Sequence, residues 1–474
     1  MNRRTMLKLG VLGLTASTFG ILAEEAWLPH RLAYAAPSAL PDIQFDISNY
    51  IAPARSIDGV IFRFGPVHTL FITVRLKRTP TKSDQHIFSE ALNTIEDSYA
   101  FSPAGVFSFI SYGLPYFHRL PADLVAGNIP RLFADPARFA LEEAVPSPTD
   151  VSPRNPGLTK QTFNVPVTIE SNDVLFTFRS DSLANLRSIA AWLQGSDQLN
   201  GRFVQSPAFG QLFHFTSARL MFLQIGIPRK IADSNALPYA GLINPHSPMW
   251  MGFADQQVAS AGPATITTFQ GNASARSTNT KAGDYFYNGS IQHFSHVILD
   301  LSQFYASSEP YTERCQYMFR SDPIPSTGYK NQHKDGGGPA FFANSYQGAN
   351  DALANAQAIN TYQHEHRMGH LTALQRSSRA ADSTPIHIRM DGPGFDALDV
   401  PGGYQQPKLQ FTIFVPSADF FATMRKNQAA LDLVAQYGVQ SDDNGLERFL
   451  TATRRQNFLV PPRAHRAFPL LELV

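Results

Sequence analysis

Three histidines lie close together in the stretch Tyr362–Arg376 (YQHEHRMGHLTALQR). His366 and His370 are four residues apart, so on a helix they would share one face, a spacing that suits two metal ligands. The zincin pattern H-E-x-x-H that begins at His364 would need a histidine where Met368 stands. A single histidine can instead ligate haem iron from one side. The stretch indicates a metal site or a haem ligand, with surface or structural histidines as the alternative.

A second candidate is the aspartate in the otherwise apolar stretch Met249–Gln257 (MWMGFADQQ). Desolvation disfavours the charged form of a carboxylate, and a carboxylate in such surroundings is a candidate proton shuttle. Asp255 is therefore a possible catalytic acid or base. The structural alternative is a turn aspartate that caps a helix or a loop.

A third candidate is the arginine in the strand-like stretch Thr384–Gly394 (TPIHIRMDGPG). Alternation along a strand directs successive side chains to opposite faces. It separates two sets here: Ile386, Ile388 and Met390 on one face, and His387, Arg389 and Asp391 on the other. If the second face lines a cavity, Arg389 could stabilise developing negative charge. A solvated or salt-bridged arginine is the alternative.

These residues must be positioned by a recurring unit in which a short apolar strand precedes an amphipathic helix. Strands rich in β-branched and aromatic residues and helices with apolar residues on one face predict three such units: His68–Leu76 with Ser83–Tyr99, Asp173–Phe178 with Ser182–Leu193, and Lys408–Val415 with Ala418–Ala435. The final segment, 444–462, is predicted as a helix followed by an apolar strand.

The uneven spacing of these units, without a Gly-rich phosphate loop, favours an α+β fold with helices packed on antiparallel sheets. Pairs of units in each half predict two ferredoxin-like modules with antiparallel sheets and peripheral helices. We expect the first module to span residues 37–225 and the second to span residues 226–474.

The composition narrows the possible functions. There are 39 basic and 38 acidic residues, so the chain lacks the positive charge that nucleic acid binding needs. Its single cysteine, Cys315, cannot form an internal disulfide. It also excludes a multi-cysteine zinc site, an iron–sulfur cluster and the CxxCH attachment of c-type haem. Any haem must therefore be bound non-covalently.

The N-terminus has the order of a signal peptide. Arg3 and Arg4 precede an apolar run from Leu9 to Ala23, and the small residues of Ala33–Ala36 follow. Adjacent arginines fit the twin-arginine type. The alternative is an uncut membrane anchor, but the run is shorter than the ~20 residues that span a bilayer. We expect a leader at residues 1–36, and a mature protein without a membrane span that is extracellular or in the cell envelope or periplasm.

The order of the three candidate stretches resembles that of the dye-decolourising peroxidases. Gly-Phe-Ala-Asp comes first, Gly369-His370 follows, and the strand with Arg389 comes about twenty residues later. The C-terminal runs KLQFTIFVPSADFF and GLERFLTATRRQNFLVPP resemble the last strand, helix and closing segment of that family. The resemblance covers roughly residues 249–462.

The resemblance implies an exported haem b peroxidase that reduces hydrogen peroxide and oxidises an organic reductant in one-electron steps. It implies that Asp255 is the distal acid–base residue and that Arg389 is the distal arginine next to the haem. It also implies that His370 is the proximal iron ligand. Cleavage of the O–O bond needs groups of these kinds: a proton acceptor and donor, a fixed cation and an electron-rich ligand.

Two residues depart from the family pattern. Gln256 stands where the family has glycine, and Ser417 stands where an acid supports the proximal histidine, with Asp419 two residues further on. Asp335 is a rival distal acid, but it lies too close before His370 for the family order. These departures keep two alternatives open: a haem-binding protein with little or no peroxidase turnover, and a non-haem metal-dependent hydrolase that uses the three histidines.

Overall fold

The structure, a computed structural model, describes ten segments of the chain. These are residues 40–253, 262–271, 276–306, 308, 311–319, 341–357, 368–377, 379, 385–439 and 444–474. The expected leader at residues 1–36 lies outside them. Within these segments, no helix is both long enough and apolar enough to cross a membrane.

The described part of the chain forms fourteen strands and eleven α-helices. The strands are β1 (Arg55–Ile57), β2 (Val60–Phe62), β3 (His68–Leu76), β4 (Phe107–Gly113), β5 (Thr168–Ile169), β6 (Val174–Ser180), β7 (Gln198–Leu199), β8 (Arg202–Phe203), β9 (Phe213–Phe222), β10 (Ser290–Leu299), β11 (Ile388–Arg389), β12 (Gly392–Asp396), β13 (Gln406–Val415) and β14 (Leu450–Val460). The helices are α1 (Lys82–Ser98), α2 (Leu114–Phe117), α3 (Ala122–Asn128), α4 (Leu183–Leu193), α5 (Ile227–Ser234), α6 (Leu301–Phe304), α7 (Tyr311–Met318), α8 (Phe341–Gln357), α9 (His370–Arg376), α10 (Ala418–Gln428) and α11 (Val434–Tyr437).

The first module is an antiparallel sheet with two helices on one face. Its strand order is β4-β6-β3-β9, with α1 after β3 and α4 after β6, which is the βαββαβ arrangement of a ferredoxin-like unit. Thr81 and Asp84 form a capping box that begins α1. The two helices bury apolar side chains against the sheet: Phe88, Leu92 and Ile95 of α1, and Leu186, Ile189 and Trp192 of α4.

The second module repeats this arrangement with the strand order β11-β13-β10-β14. Helices α6 to α9 lie between β10 and β11 in the chain, and α10 follows β13. Strand β14 also pairs with β4, with Phe458 opposite Gly113, so the two modules share one sheet. The α+β prediction of two ferredoxin-like modules is confirmed. The boundary that we propose, after residue 225, falls between β9 and β10.

The modules turn the helix-free faces of their sheets toward each other. The ring centroids of Phe71 on β3 and Phe294 on β10 are 4.6 Å apart, and those of Phe109 on β4 and Phe414 on β13 are 5.6 Å apart. Aromatic packing of this kind contributes more than area burial alone. The helices of the second module therefore pack on the opposite face of its sheet.

Two predicted helices are shorter than expected. The helix predicted for 418–435 ends at Gln428 because Ala430 has a φ of 53°, in the left-handed region that interrupts an α-helix. The helix predicted at the start of 444–462 is a single 3-10 turn, Glu447–Phe449. It stops there because the following residues pair with β10 along the whole of β14.

The end of the chain crosses back to the first module. Phe468 is fully buried there, with ring centroids 4.9 Å from Phe88 and 5.8 Å from Tyr116. The backbone N–H of Phe468 donates a hydrogen bond to the Tyr112 hydroxyl at 2.8 Å. Residues that follow β14 thus complete the aromatic core of the first module.

Candidate active site

A cavity lies between the second module's sheet and the helices that cover it. The space it encloses, with its opening to solvent included, is about 980 Å³. Its apolar lining residues are Met249, Trp250, Met251, Phe253, Val297, Leu299, Met318, Pro393, Leu409, Phe411, Phe421, Leu446, Leu450 and Ala452. Its polar lining residues are Thr149, Asp150, Ser295, His370, Arg389, Asp391, Arg425, Gln428, Glu447 and Arg455.

His370 lines the cavity from the first residue of α9. The helix is anchored by Leu371 and Leu374, which are both fully buried in the second module's core. On another side, Gly445 approaches so closely that a Cβ there would lie 2.9 Å from the backbone nitrogen of His370. The N–H of Gly445 also donates a hydrogen bond to the Met368 carbonyl at 2.7 Å. These contacts fix the backbone at His370.

Arg389 and Asp391 enter the cavity wall from strand β11 and the residues after it. Arg389 pairs with Ile413 of β13, and its guanidinium Nη1 lies 3.8 Å from Oδ2 of Asp391. Between them, Met390 is buried on the opposite face, in a cluster that Ile388 also contacts. The predicted alternation is confirmed for these four residues, since the two charged side chains share the cavity face.

A polar wall of the cavity, formed by Thr149, Asp150, Ser295, Arg425, Glu447 and Arg455, contains two buried ion pairs. Arg455 donates from Nε and Nη2 to the two oxygens of Asp150 at 2.7 and 2.8 Å. Arg425 and the Thr149 hydroxyl both donate to Oε2 of Glu447 at 2.7 Å. Burial would raise the pKa of Glu447, but the charge and hydrogen bond of Arg425 outweigh it and lower this pKa to about 2. The polar wall therefore carries fixed, paired charges.

Ser295 is oriented by a buried histidine outside the cavity lining. The Asn457 amide donates to the Glu142 carbonyl at 2.9 Å, so its oxygen faces Nδ1 of His293 at 2.7 Å. Nδ1 therefore carries the proton, and Nε2 accepts from the Ser295 hydroxyl at 2.6 Å. Burial, followed by the charge of Arg455, lowers the pKa of His293 well below its usual value, which keeps the ring neutral. The hydroxyl is thus held in one orientation.

A protein-family model matches residues 137–462, most of the chain and nearly all of the cavity's surroundings. This model is described as a family of unknown function (DUF7405). The chain belongs to the DUF7405 family. No curated protein matches its sequence.

Solved structures similar to this DUF7405 chain include three peroxidases. A putative DyP-type peroxidase from Shewanella oneidensis is 12% identical with a TM-score of 0.47, and 87% of this chain and 96% of that one are covered. The encapsulated DyP-type peroxidase from Mycobacterium smegmatis is 12% identical with a TM-score of 0.46, at 86% and 96% coverage. A dye-decolorizing peroxidase from Bacteroides thetaiotaomicron is 14% identical with a TM-score of 0.42, at 86% and 95% coverage.

The structure brings two of the three candidate residues of this DUF7405 chain to one cavity. His370 and Arg389 both line it. Asp255 lies outside the described residues. Met249, Trp250, Met251 and Phe253, which come earlier in the same stretch, line the cavity. Gln256, Asp335, His364 and His366 also lie outside the described residues. Among the described residues, no group of three or more histidine, cysteine, aspartate or glutamate side chains is placed to hold a metal ion.

Sequence reasoning missed the polar wall. Thr149 and Asp150 belong to the proline-rich stretch 145–157, in which the sequence shows neither strand alternation nor helical spacing. Asp150 and Arg455 are 305 residues apart, so no local pattern pairs them. One signal was present: charged residues interrupt the apolar run of β14 at Arg454 and Arg455, and buried charges need partners.

Proposed function

We propose that this protein is an exported haem b peroxidase that reduces hydrogen peroxide and oxidises an organic reductant in one-electron steps. The observation that carries the proposal is the cavity in which His370, Arg389 and Asp391 interrupt walls that are mostly apolar. Such walls would suit a flat, largely apolar macrocycle, and a single imidazole could ligate its iron. The donor set therefore fits haem b, bound non-covalently.

His370 would hold the cofactor through a neutral imidazole nitrogen. When bound, haem supplies a redox-active iron at which the O–O bond of peroxide is cleaved. Arg389 would stabilise the negative charge that develops on the departing oxygen, because a fixed guanidinium in a water-poor site needs no reorganisation. Asp255 is proposed to take a proton from one peroxide oxygen and return it to the other. The departing oxygen then leaves as water.

Asp391 is proposed to position Arg389. Its carboxylate lies 3.8 Å from the guanidinium, and both side chains are about seven-eighths buried, at 13% exposure. An opposite charge at this distance favours one placement of the arginine. The pair therefore keeps a cation on the cavity wall while the net charge added to the cavity remains zero.

The test is the absorption spectrum of protein purified with haem supplied during expression, together with three single alanine variants. We expect an intense band at about 400 nm that shifts when peroxide is added. His370→Ala should abolish haem retention, whereas His364→Ala and His366→Ala, the matched controls, should retain it. If His366→Ala abolishes retention instead, the ligand lies four residues earlier in the chain. The absence of any haem band would refute the proposal and favour the metal-dependent alternative.

A second candidate is a haem-binding protein with little peroxidase turnover. It is favoured by Asp419, the acid nearest to the position that supports the proximal histidine in the resembling family. Asp419 forms an ion pair with Arg138 and its side chain is 41% exposed, so it stabilises the surface rather than the cavity. A weakly supported imidazole is less basic. On this alternative, Asp255→Ala would leave the small reaction with peroxide unchanged, whereas the peroxidase proposal expects a large loss.

A further inference from the structure

Three methionine side chains line the cavity: Met249, Met251 and Met318. Met251 and Met318 are buried in the apolar cluster that also contains Trp250 and Phe253. Met318 is the last residue of α7, whereas the other two belong to the segment that leads to Asp255. Thioether sulfur is soft and polarizable and packs well in irregular apolar walls. It is also an oxidisable atom, next to which peroxide is proposed to react.

Two other methionines have the same burial but lie outside the cavity lining. Met390 is 7% exposed, as is Met251, yet it lies on the opposite face of the strand from Arg389 and Asp391. Met221 is 1% exposed, as is Met318, and it belongs to the same cluster as Met390. The chain therefore contains two pairs of methionines that differ in whether they line the cavity and are equal in solvent exposure.

We propose that Met249, Met251 and Met318 are oxygen acceptors of the cavity, oxidised to sulfoxides when peroxide reacts there. This inference rests on the proposed peroxidase function. In the net step, the O–O bond of hydrogen peroxide breaks and one oxygen forms the S=O bond. Sulfur loses two electrons, and the second oxygen leaves with both hydrogens as water. Peroxide is the only oxidant that the step needs.

Methionine oxidation would limit how many peroxide molecules the protein can reduce before its cavity is damaged. A sulfoxide is polar and chiral, so it disrupts the apolar wall in which the thioether was packed. Each oxidation would therefore weaken the cavity's fit to an apolar cofactor or substrate. An organic reductant that reacts faster than the methionines would protect them. The time for which the protein stays active would therefore depend on the concentration of reductant.

Because the methionines of both pairs are buried, oxidation within the cavity can be distinguished from oxidation by peroxide in bulk solvent. Oxidation by peroxide in bulk solvent follows accessibility, so it would treat Met251 like Met390 and Met318 like Met221. Oxidation that originates in the cavity would separate the members of each pair. The two matched pairs thus serve as internal controls within one protein sample.

The experiment exposes haem-loaded and haem-free protein to a small molar excess of hydrogen peroxide without reductant. Peptide mass spectrometry then measures sulfoxide at each methionine. In the haem-loaded protein we expect severalfold more sulfoxide at Met251 than at Met390, and severalfold more at Met318 than at Met221. The haem-free protein should show no such separation. Added reductant should reduce the separation.

The possible outcomes separate a failure of this inference from a failure of the proposed function. If the protein takes up haem and responds to peroxide but both pairs are oxidised equally, the inference is wrong and the peroxidase proposal stands. If haem-free protein shows the same separation, peroxide acts directly and the inference is also wrong. If no haem is bound, the proposed function itself fails. Met251→Leu should extend the number of turnovers before inactivation, whereas Met390→Leu should not.

Discussion

The ion pair between Asp150 and Arg455 provides the sharpest test of how the first module helps to build the cavity. The side chains are 3% and 4% exposed, and the guanidinium donates two hydrogen bonds to the carboxylate. Asp150 also accepts from the backbone N–H of Ser147 at 2.7 Å, which fixes the loop that carries it. Replacement of Asp150 by alanine would leave Arg455 buried without its carboxylate.

The size of the effect follows from burial. Removal of one partner of a buried ion pair costs about 3–5 kcal/mol, because an uncompensated charge remains in a medium of low polarity. Arg455 would retain its hydrogen bond to Ser295 at 2.8 Å, so we expect a loss near the lower limit, about 3 kcal/mol. Stability of a folded domain is about 5–15 kcal/mol, so this is a large fraction.

Urea unfolding of purified protein, followed by far-UV circular dichroism, measures the change. Asp150→Ala should lower the free energy of unfolding by about 3 kcal/mol, and the double variant Asp150→Ala/Arg455→Met should recover about half of that loss. Asp419→Ala is the matched control, since it breaks the exposed pair with Arg138 and should cost about 1 kcal/mol or less. A loss at Asp150 no larger than in this control, or a double variant weaker than the single one, would refute the reasoning.

Three further predictions concern the role of Arg389, the pH dependence of the free energy of unfolding, and the end of the chain. Arg389→Leu should slow the reaction with peroxide by about 10²–10³-fold while haem retention persists, as stopped-flow absorbance would measure; an unchanged rate would remove Arg389 from the mechanism. Because the pKa of Glu447 is lowered to about 2 from an ordinary value of 4.5, its stabilisation is fully present above about pH 4.5. It is lost as pH falls toward 2, in total about 3 kcal/mol. Glu447→Gln should flatten this part of the curve of unfolding free energy against pH, and a curve that keeps its full slope would contradict the assignment. Phe468→Ala should lower the free energy of unfolding by about 3–5 kcal/mol, whereas Phe133→Ala, at a side chain that is 53% exposed, should change it by about 0.5 kcal/mol or less; equal effects would show that the tail does not support the core.

The local parts of this fold could be predicted because local patterns determine them. Strand β3 has the bounds predicted from its apolar and β-branched residues, His68–Leu76, and the helix after β6 begins one residue later than predicted, at Leu183. The facing of Arg389 and Asp391 followed from strand alternation alone. These properties depend on neighbours within a few residues, which the sequence displays directly.

The parts that could not be predicted depend on contacts between distant residues. Nothing near Asp150 indicates that it meets Arg455, and nothing near Met318 indicates that it shares a cavity with Met251. The end of α10 was also missed, since apolar residues continue beyond Gln428 with helical spacing while the backbone turns at Ala430. Packing against other elements overrides a local preference in such places.

The return of the chain's end to the first module has a consequence for synthesis. A ribosome releases the first module hundreds of residues before Phe468, so during most of translation that module lacks a ring that fills its core. The nascent chain must therefore keep Phe88, Tyr116 and Phe213 protected by chaperones or by loose, reversible packing. A chain that is truncated before Phe468 would therefore have an incomplete core in the first module, which is synthesised first.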